Sequence, residues 1–432
     1  MATGAFPRAA GPRIAVLDGC RTPFTKAGGE LASMNALDLS IAVTRELADR
    51  AELDPRELGA LVMGSAIGYR SVPYLARETA IALGWQRVNA YSAESACATS
   101  ARTVVNAAYE LMTGEADVAI AGGAESMSNV PVEVKPKLRD TLVAVQRDPA
   151  QAMSLMMGLA LGDLFPDPPG VKEPYTGRSL GEHAEDVVRD WDITRAQADA
   201  FAVRSHHNAA AAIADGRLPA EVIPVITNAW TTVKEDTLVR GDTSLDKVAK
   251  LSPVFDRAYG TVTAANASPL TDGAAAVLLA TEDAAARLGR TPKAWIKSWA
   301  FTSHDPKTGV LLGPAFALPL ALERAGLSLD DIGLVDIHEA FAGQVLANLA
   351  ALASDDFARR HLGRDQAVGV VDRELLNVNG GSVSLGHPFG ATGARLVTQL
   401  ANEMGRRNVR YGALAICAGG TRGAAIVLER DV

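Results

Sequence analysis

Short runs of consecutive apolar residues punctuate the chain at Arg13 to Asp18, Ala60 to Met63, Asp117 to Ala121 and Leu334 to Ile337. Such runs predict strands buried on both faces, as in parallel sheets. Between them lie segments whose apolar residues recur every three or four positions, such as Ala36 to Arg50, and these predict amphipathic helices. The alternation reads as an α/β architecture with largely parallel strands.

The pattern also runs twice. A helix, the acidic turn LDPREL and the strand ALVMGSAI in the first half correspond to a helix, SLDDI and the strand LVDIHEAF in the second. A small-residue turn into a long helix follows each time, SACATSARTVVNAAYELM and then GHPFGATGARLVTQLANEM, and DVAIAGGAE matches GALAICAGG. The second copy passes directly into its closing strand, GAAIVLER, whereas the matching GAAAVLLA begins only at Gly273. Residues from about Met127 to Ala264 therefore read as an insertion, a cap or substrate-binding lobe, in one half of a duplicated unit. The expected division is 1–126 with 265–290 as the first half, 127–264 as the lobe and 291–432 as the second half.

Length and composition narrow the class. At 432 residues the chain is long enough for two or three cores at about 150 residues each. Apolar residues at 48%, charged residues at 21% and a net charge of -8 without long like-charge blocks fit a soluble protein and exclude a general affinity for nucleic acid. The opening MATGAFPRAAGPR has no signal-like apolar run, and Met153 to Leu161 is far short of the ~20 residues of a spanning helix, so a cytoplasmic protein is expected. Cys20, Cys97 and Cys417 make no disulfide framework and show no zinc-like spacing; no metal is expected.

Three positions carry candidate chemistry. Cys97, in SAESACATSAR, sits where a strand leads into the first turn of a helix, whose unpaired N–H groups and dipole favour a thiolate below the free value of about 8.5. His387 lies in the glycine-dense turn GGSVSLGHPFGATG before a helix expected over Ala391 to Met404, and Cys417 ends the strand ALAI. Taken singly, each also reads as a core or structural residue. Together the repeat superposes them: Cys97 and His387 open equivalent helices, Cys417 ends the strand beside His387, and His338 ends the strand LVDIHEAF. A nucleophilic thiol, a histidine to take its proton and a second thiol as acid or base form one coherent set. The pair His206-His207 in FAVRSHHNAAAAI reads as a partly exposed helix face, Cys20 as a structural residue in an edge-like turn, and DLFPDPPG as a solvated loop.

The motifs RTPF, SACATS, GGAESMS, GTVTAANASPLTDGAAAVLLA, HEAF, NVNGGSVSLGHPFGATG and CAGGTRG, in that order over nearly the whole chain, resemble those of the thiolases. HEAF and SLGHPFGATG are most similar to the β-subunit of the fatty-acid oxidation trifunctional complex and its bacterial counterparts, which are 3-ketoacyl-CoA thiolases. The resemblance implies two α/β halves in a five-layered arrangement and two-step thiolysis of a 3-ketoacyl-CoA. It implies no cofactor, with coenzyme A as a substrate. It makes Cys97 the acylated nucleophile, His387 its base and Cys417 the acid/base for the departing carbanion. The N–H groups of Cys97 and Gly419 would form one oxyanion hole, and His387 with His338 the other. Ser268, Ala340, Phe341 and Leu180 would line the coenzyme A and substrate site. Thr421-Arg422 departs from the glycine run usual after the last cysteine.

Rival readings are a decarboxylating condensing enzyme, an acetoacetyl-CoA thiolase and a non-catalytic lipid-binding subunit of the same fold. A condensing enzyme needs no second thiol, so Cys417 argues against the first. The resemblance further implies a homodimer or higher oligomer and a complex with a hydratase/dehydrogenase α-subunit. In Lys135 to Phe165, basic residues precede a Met-rich apolar run; the stretch reads either as an amphipathic hairpin docking on a partner or a membrane, or as a cover for the acyl tunnel.

Overall fold

The computed structural model describes residues 11–166 and 172–432. Asp167 to Gly170 of the Pro-rich stretch lie outside the described residues. The strands fall on the apolar runs: Ile14–Arg21, Ala60–Gly64, Val118–Ser126 and Leu334–Ile337. Every residue of Val118–Ser126 and of Thr271–Thr281 is buried, because both strands are covered on both faces. The helix Ala36–Arg50 starts at Asn35, whose side chain accepts from Leu37 and Asp38 in a capping box, and buries Leu39, Val43 and Leu47.

The first-half strands run in the order Asn89–Ser92, Ala60–Gly64, Val118–Ser126, Thr271–Thr281, Ile14–Arg21. From there the order continues through Ala294–Ser303, Arg422–Glu429 and Tyr411–Ala418 to Leu334–Ile337. The second set mirrors the first: parallel at its outer edge, antiparallel toward the middle. The two sets pair with each other through Ala15↔Trp295 and Val16↔Ala294.

Three apolar clusters show how the layers stack. One packs the helices Thr99–Thr113 and Thr392–Arg407 between the inner faces of both strand sets. A second packs Ala36–Arg50 and Leu75–Ala82 on the outer face of the first set, and a third packs Gly313–Ala325 and Ala342–Leu352 on the outer face of the second. The order helix, sheet, helix, sheet, helix makes five layers. The central helices touch where a Cβ on Gly393 would lie 2.2 Å from the Ala101 nitrogen, so only glycine allows this approach. Both helices therefore begin side by side. The second runs to Arg407 rather than Met404, because Arg406 and Arg407 both pair with Glu403 and Asn408 closes the helix in a left-handed conformation.

Val118–Ser126 pairs with Thr271–Thr281 over Val118↔Ala280 to Ser126↔Asp272, so the chain leaves and re-enters the sheet at adjacent strands. In between, Leu180–Asp190 and Arg195–Ala214 pack through Val187, Ala198, Phe201 and Ala202 onto the outer layer of the second strand set. The helices Pro136–Arg147 and Ala152–Met157 bury none of their residues. Among the described residues no helix is long and apolar enough to cross a membrane.

One sequence expectation needs correction, whereas the His206-His207 pair lies on a partly exposed helix face as read: His206 is buried and its Nδ1 accepts the Arg240 N–H, while His207 is exposed and its Nε2 meets the Thr243 carbonyl at 2.9 Å. The loop after Val239 covers that face of the helix. Cys20 lies inside the strand Ile14–Arg21, fully buried, rather than in an edge turn.

Candidate active site

Cys97 sits in the single turn Ala96–Ala98 directly ahead of the helix Thr99–Thr113. Ala96 holds a left-handed φ of 47°, uncommon for alanine, and its N–H is taken by the Glu94 carboxylate. Thr99 ties the turn from both sides: its hydroxyl donates to the Ala96 carbonyl at 2.7 Å and accepts the Ser95 N–H at 2.9 Å.

His387 precedes the second central helix and His338 follows the strand Leu334–Ile337, and both rings are buried. Their centroids lie 4.1 Å apart. The Cys97 sulfur and one ring nitrogen of each histidine fall within 4.8 Å of one another. Nδ1 of His387 meets Thr392 Oγ1 at 2.7 Å and Nδ1 of His338 meets Ser382 Oγ at 3.0 Å, while both Nε2 atoms have no partner among the described residues. Cys417, fully buried, is near enough to Cys97 for each charge to oppose the other. The structure thus brings together Cys97, His387, His338 and Cys417.

The turn after Cys417 is tight, with Thr421 at its end. Gly420 and Thr421 both take left-handed φ, 76° and 54°, closing a tight link in which Ala418 pairs with Arg422. The Gly419–Gly420 peptide is gripped at both ends: Arg422 Nε donates to the Gly419 carbonyl at 2.8 Å, and the Gly420 N–H donates to the Glu173 carboxylate at 2.8 Å. The Gly419 N–H thereby faces the Cys97 sulfur.

Electrostatics overturn one expectation. Burial pushes the Cys97 thiol up to about 12, outweighing the Gly419 and Cys97 N–H groups that pull it down. A helix N-terminus stabilises a thiolate only by partial charges, and here desolvation is larger. Burial, then the nearby Arg395, holds His387 down to about 3, and burial also lifts Cys417 well above a free thiol. Burial thus opposes both the thiolate of Cys97 and the imidazolium of His387.

Leu180, Ala340 and Phe341 share one apolar cluster with Cys417, Val262 and Leu311. Ser268 lies on a segment stitched across this cluster: its N–H donates to the Ala340 carbonyl at 2.9 Å, Ala267 bridges Phe341 and Leu270 bridges His387. The sequence reading missed Ser382, Thr392, Arg395 and Glu173. The first three stand within a few positions of His387 in a stretch already marked by its glycines. Glu173 carries no signal, being 247 positions from the glycine it holds.

Residues 14–283 match the family described as "Thiolase, N-terminal domain" and residues 290–430 "Thiolase, C-terminal domain". Over 425 residues, 98% of both chains, the sequence is 47% identical to a 3-ketoacyl-CoA thiolase of Cronobacter sakazakii. It is 46% identical over the same length to one of Escherichia coli. Human mitochondrial 3-ketoacyl-CoA thiolase, also solved in complex with CoA, superposes with a TM-score of 0.83 at 30% identity, covering 98% of this chain and 99% of that one. The Bacillus anthracis acetyl-CoA acetyltransferase gives 0.84 at 32%, again over 98% and 99%. The fold and the relatives define an acyltransferase. The chain belongs to the thiolase family and has the thiolase fold.

Proposed function

We propose that the cluster of Cys97, His387, His338 and Cys417 carries out the thiolysis of 3-ketoacyl-CoA in two steps. The protein acts as a 3-ketoacyl-CoA thiolase of fatty-acid oxidation. The single observation that carries the roles is the convergence of one thiol, two imidazole nitrogens with no partner among the described residues and a second thiol in a buried cluster. His387 takes the Cys97 proton as the sulfur attacks the keto carbon, and the Cys97 and Gly419 N–H groups receive the oxygen that becomes negative. The C–C bond then breaks. Acetyl-CoA leaves as an enolate whose oxygen faces His387 and His338, and Cys417 protonates its carbon. A second coenzyme A, deprotonated at the same site, removes the shortened acyl group from Cys97. The acyl and pantetheine chains lie along the cluster of Leu180, Ala340 and Phe341 beside Ser268. No cofactor enters the scheme beyond coenzyme A as substrate.

The expected result is loss of 3-ketoacyl-CoA absorbance only when free coenzyme A is supplied, with substrates from C4 to C16. Turnover confined to C4 would move the reading to an acetoacetyl-CoA thiolase, and no turnover at any length would leave a non-catalytic subunit.

The reading extends to a cytoplasmic enzyme, a homo-oligomer and a complex with a hydratase/dehydrogenase subunit, whose product is this enzyme's substrate. The hairpin of Pro136–Arg147 and Ala152–Met157 supports a docking role, since Leu142, Val143, Met153 and Met157 are exposed and none of its residues enters a core. Co-expressed subunits should elute together, and deleting the hairpin should separate them. Separate elution of the intact pair at micromolar concentration would remove the complex from the reading.

A further inference from the structure

The two adjacent histidines each place Nδ1 on a hydroxyl, but the hydroxyls have different second partners. Ser382 Oγ lies 3.0 Å from His338 Nδ1 and 3.0 Å from Nη2 of Arg395. A guanidinium has five N–H groups and no lone pair, so Ser382 can only accept from it. The one proton of Ser382 then has His338 Nδ1 as its partner. A hydroxyl has a second lone pair and could also accept from Nδ1–H, but only a bare Nδ1, with the ring proton on Nε2, gives the Ser382 proton a partner among the described residues. At the other histidine, Thr392 Oγ1 lies 2.7 Å from His387 Nδ1 and 3.1 Å from the Pro388 carbonyl, which also takes the Ala391 and Thr392 N–H groups. A carbonyl can only accept. Thr392 therefore donates to Pro388 and accepts from His387, whose Nε2 keeps its lone pair.

We propose that Arg395 is a positioning residue that acts through Ser382 to hold His338 as a fixed hydrogen-bond donor at Nε2, while Thr392 holds His387 in the opposite form as a base. Arg395 is fully buried, and among the described residues its Nε and Nη1 have no partner, so only Nη2 is engaged there, on Ser382. Such a cation is expensive to bury without full pairing. Its nearest carboxylate charge, Asp336, accepts instead from Gln399 at 3.4 Å. The cation also suppresses protonation of His338, already opposed by burial and by His387. His338 then offers an N–H to the enolate oxygen without giving up a proton, and His387 alone carries the proton taken from Cys97. Two identical rings in contact thus have separate duties fixed by what stands behind them.

This inference rests on the thiolysis reading, and the test separates the two. The full-length enzyme labelled with ¹⁵N-histidine is examined by long-range ¹H–¹⁵N correlation, with His338 assigned by the loss of its signals in His338→Asn. The wild type should show Nε2 protonated and Nδ1 bare at neutral pH. Ser382→Ala should leave the ring unfixed and slow solvent exchange of the acetyl-CoA methyl protons, the enolate step, about 10- to 100-fold. Acylation of Cys97 by a simple acyl-CoA should change little, because it uses the other oxyanion hole. Ser382→Thr, which keeps the hydroxyl, should restore exchange; a purely structural role would show no such split. A proton on Nδ1 of His338 in the wild type overturns the proposal, whether or not any variant folds. Equal exchange in Ser382→Ala and the wild type overturns it too. A wild type with the expected tautomer but no thiolysis would instead sink the functional reading.

Discussion

Incubation with an acyl-CoA is expected to place the acyl group on Cys97 alone, and Cys97→Ala should abolish labelling and turnover together. Both thiols are buried and both are held protonated at rest, so acidity does not separate them. Geometry does. Cys97 has a ring nitrogen of His387 within 4.8 Å to take its proton, and the Gly419 N–H beside its sulfur to receive the developing charge. Cys417 lies at a strand end in an apolar cluster with Ala340, Val262 and Leu311. Cys417→Ala should therefore spare acylation from a simple acyl-CoA and reduce thiolysis about 10²–10⁴-fold, the usual contribution of a positioned acid or base. The raised thiol adds a pH signature. Alkylation of Cys97 in the unliganded enzyme should keep rising past the range of a free thiol, with no plateau in the acid or neutral range, since burial rather than the helix terminus sets its ionisation. Peptide mass spectrometry and iodoacetamide kinetics check both parts. A stable acyl group on Cys417, or full thiolysis by Cys417→Ala, would reverse the assignment.

The parts of this site that were legible in the sequence share one property: their meaning is local or repeated. Cys97 and His387 are each announced by a small-residue turn before a long apolar helix, and the duplication alone places the two turns in register. Gly393, which lets the central helices meet at Ala101, sits in the same motif. What the sequence hid depends on distance or on competition between forces. Glu173 reaches Gly420 across 247 positions, and no pattern links them. The helix N-terminus that follows Cys97 suggests a thiolate, yet the thiol's ionisation goes the other way, because burial is set by both strand sets and the second central helix. Ser382 and Arg395 were in view as letters. Their consequence for His338 appears only when the guanidinium, the hydroxyl and the ring are seen in line.

Asp236→Ala is expected to cost about 3–5 kcal/mol of stability, the usual effect of stripping a buried charge of its partner. Arg21 and Asp236 are 1% and 2% exposed and pair through two contacts of 2.6 and 2.7 Å. Asp236 also accepts the Phe24 N–H at 2.9 Å, and the Arg21 guanidinium stacks 4.8 Å from the Phe24 ring. The segment RTPF is thus bound to the 222–237 region at both ends, with the Ile223 N–H on the Arg21 carbonyl and the Thr237 N–H on that of Phe24. Phe24 in turn presses on Gly273, where an added Cβ would meet its ring at 2.5 Å and Pro388 at 3.1 Å. Pro388 follows His387 directly, so this ion pair holds a path from the 222–237 region to the histidine turn. Removing Asp236 leaves Arg21 charged with Glu221 as its other nearby carboxylate, and burial holds that carboxyl toward its neutral form. Replacing both partners by apolar residues, Arg21→Met with Asp236→Leu, should cost less than Asp236→Ala alone, because no unpaired charge remains. Denaturant titration of the single and double variants measures the difference. A single variant as stable as the wild type, or a double variant worse than the single, would show that packing rather than the ion pair joins the segment to the sheet.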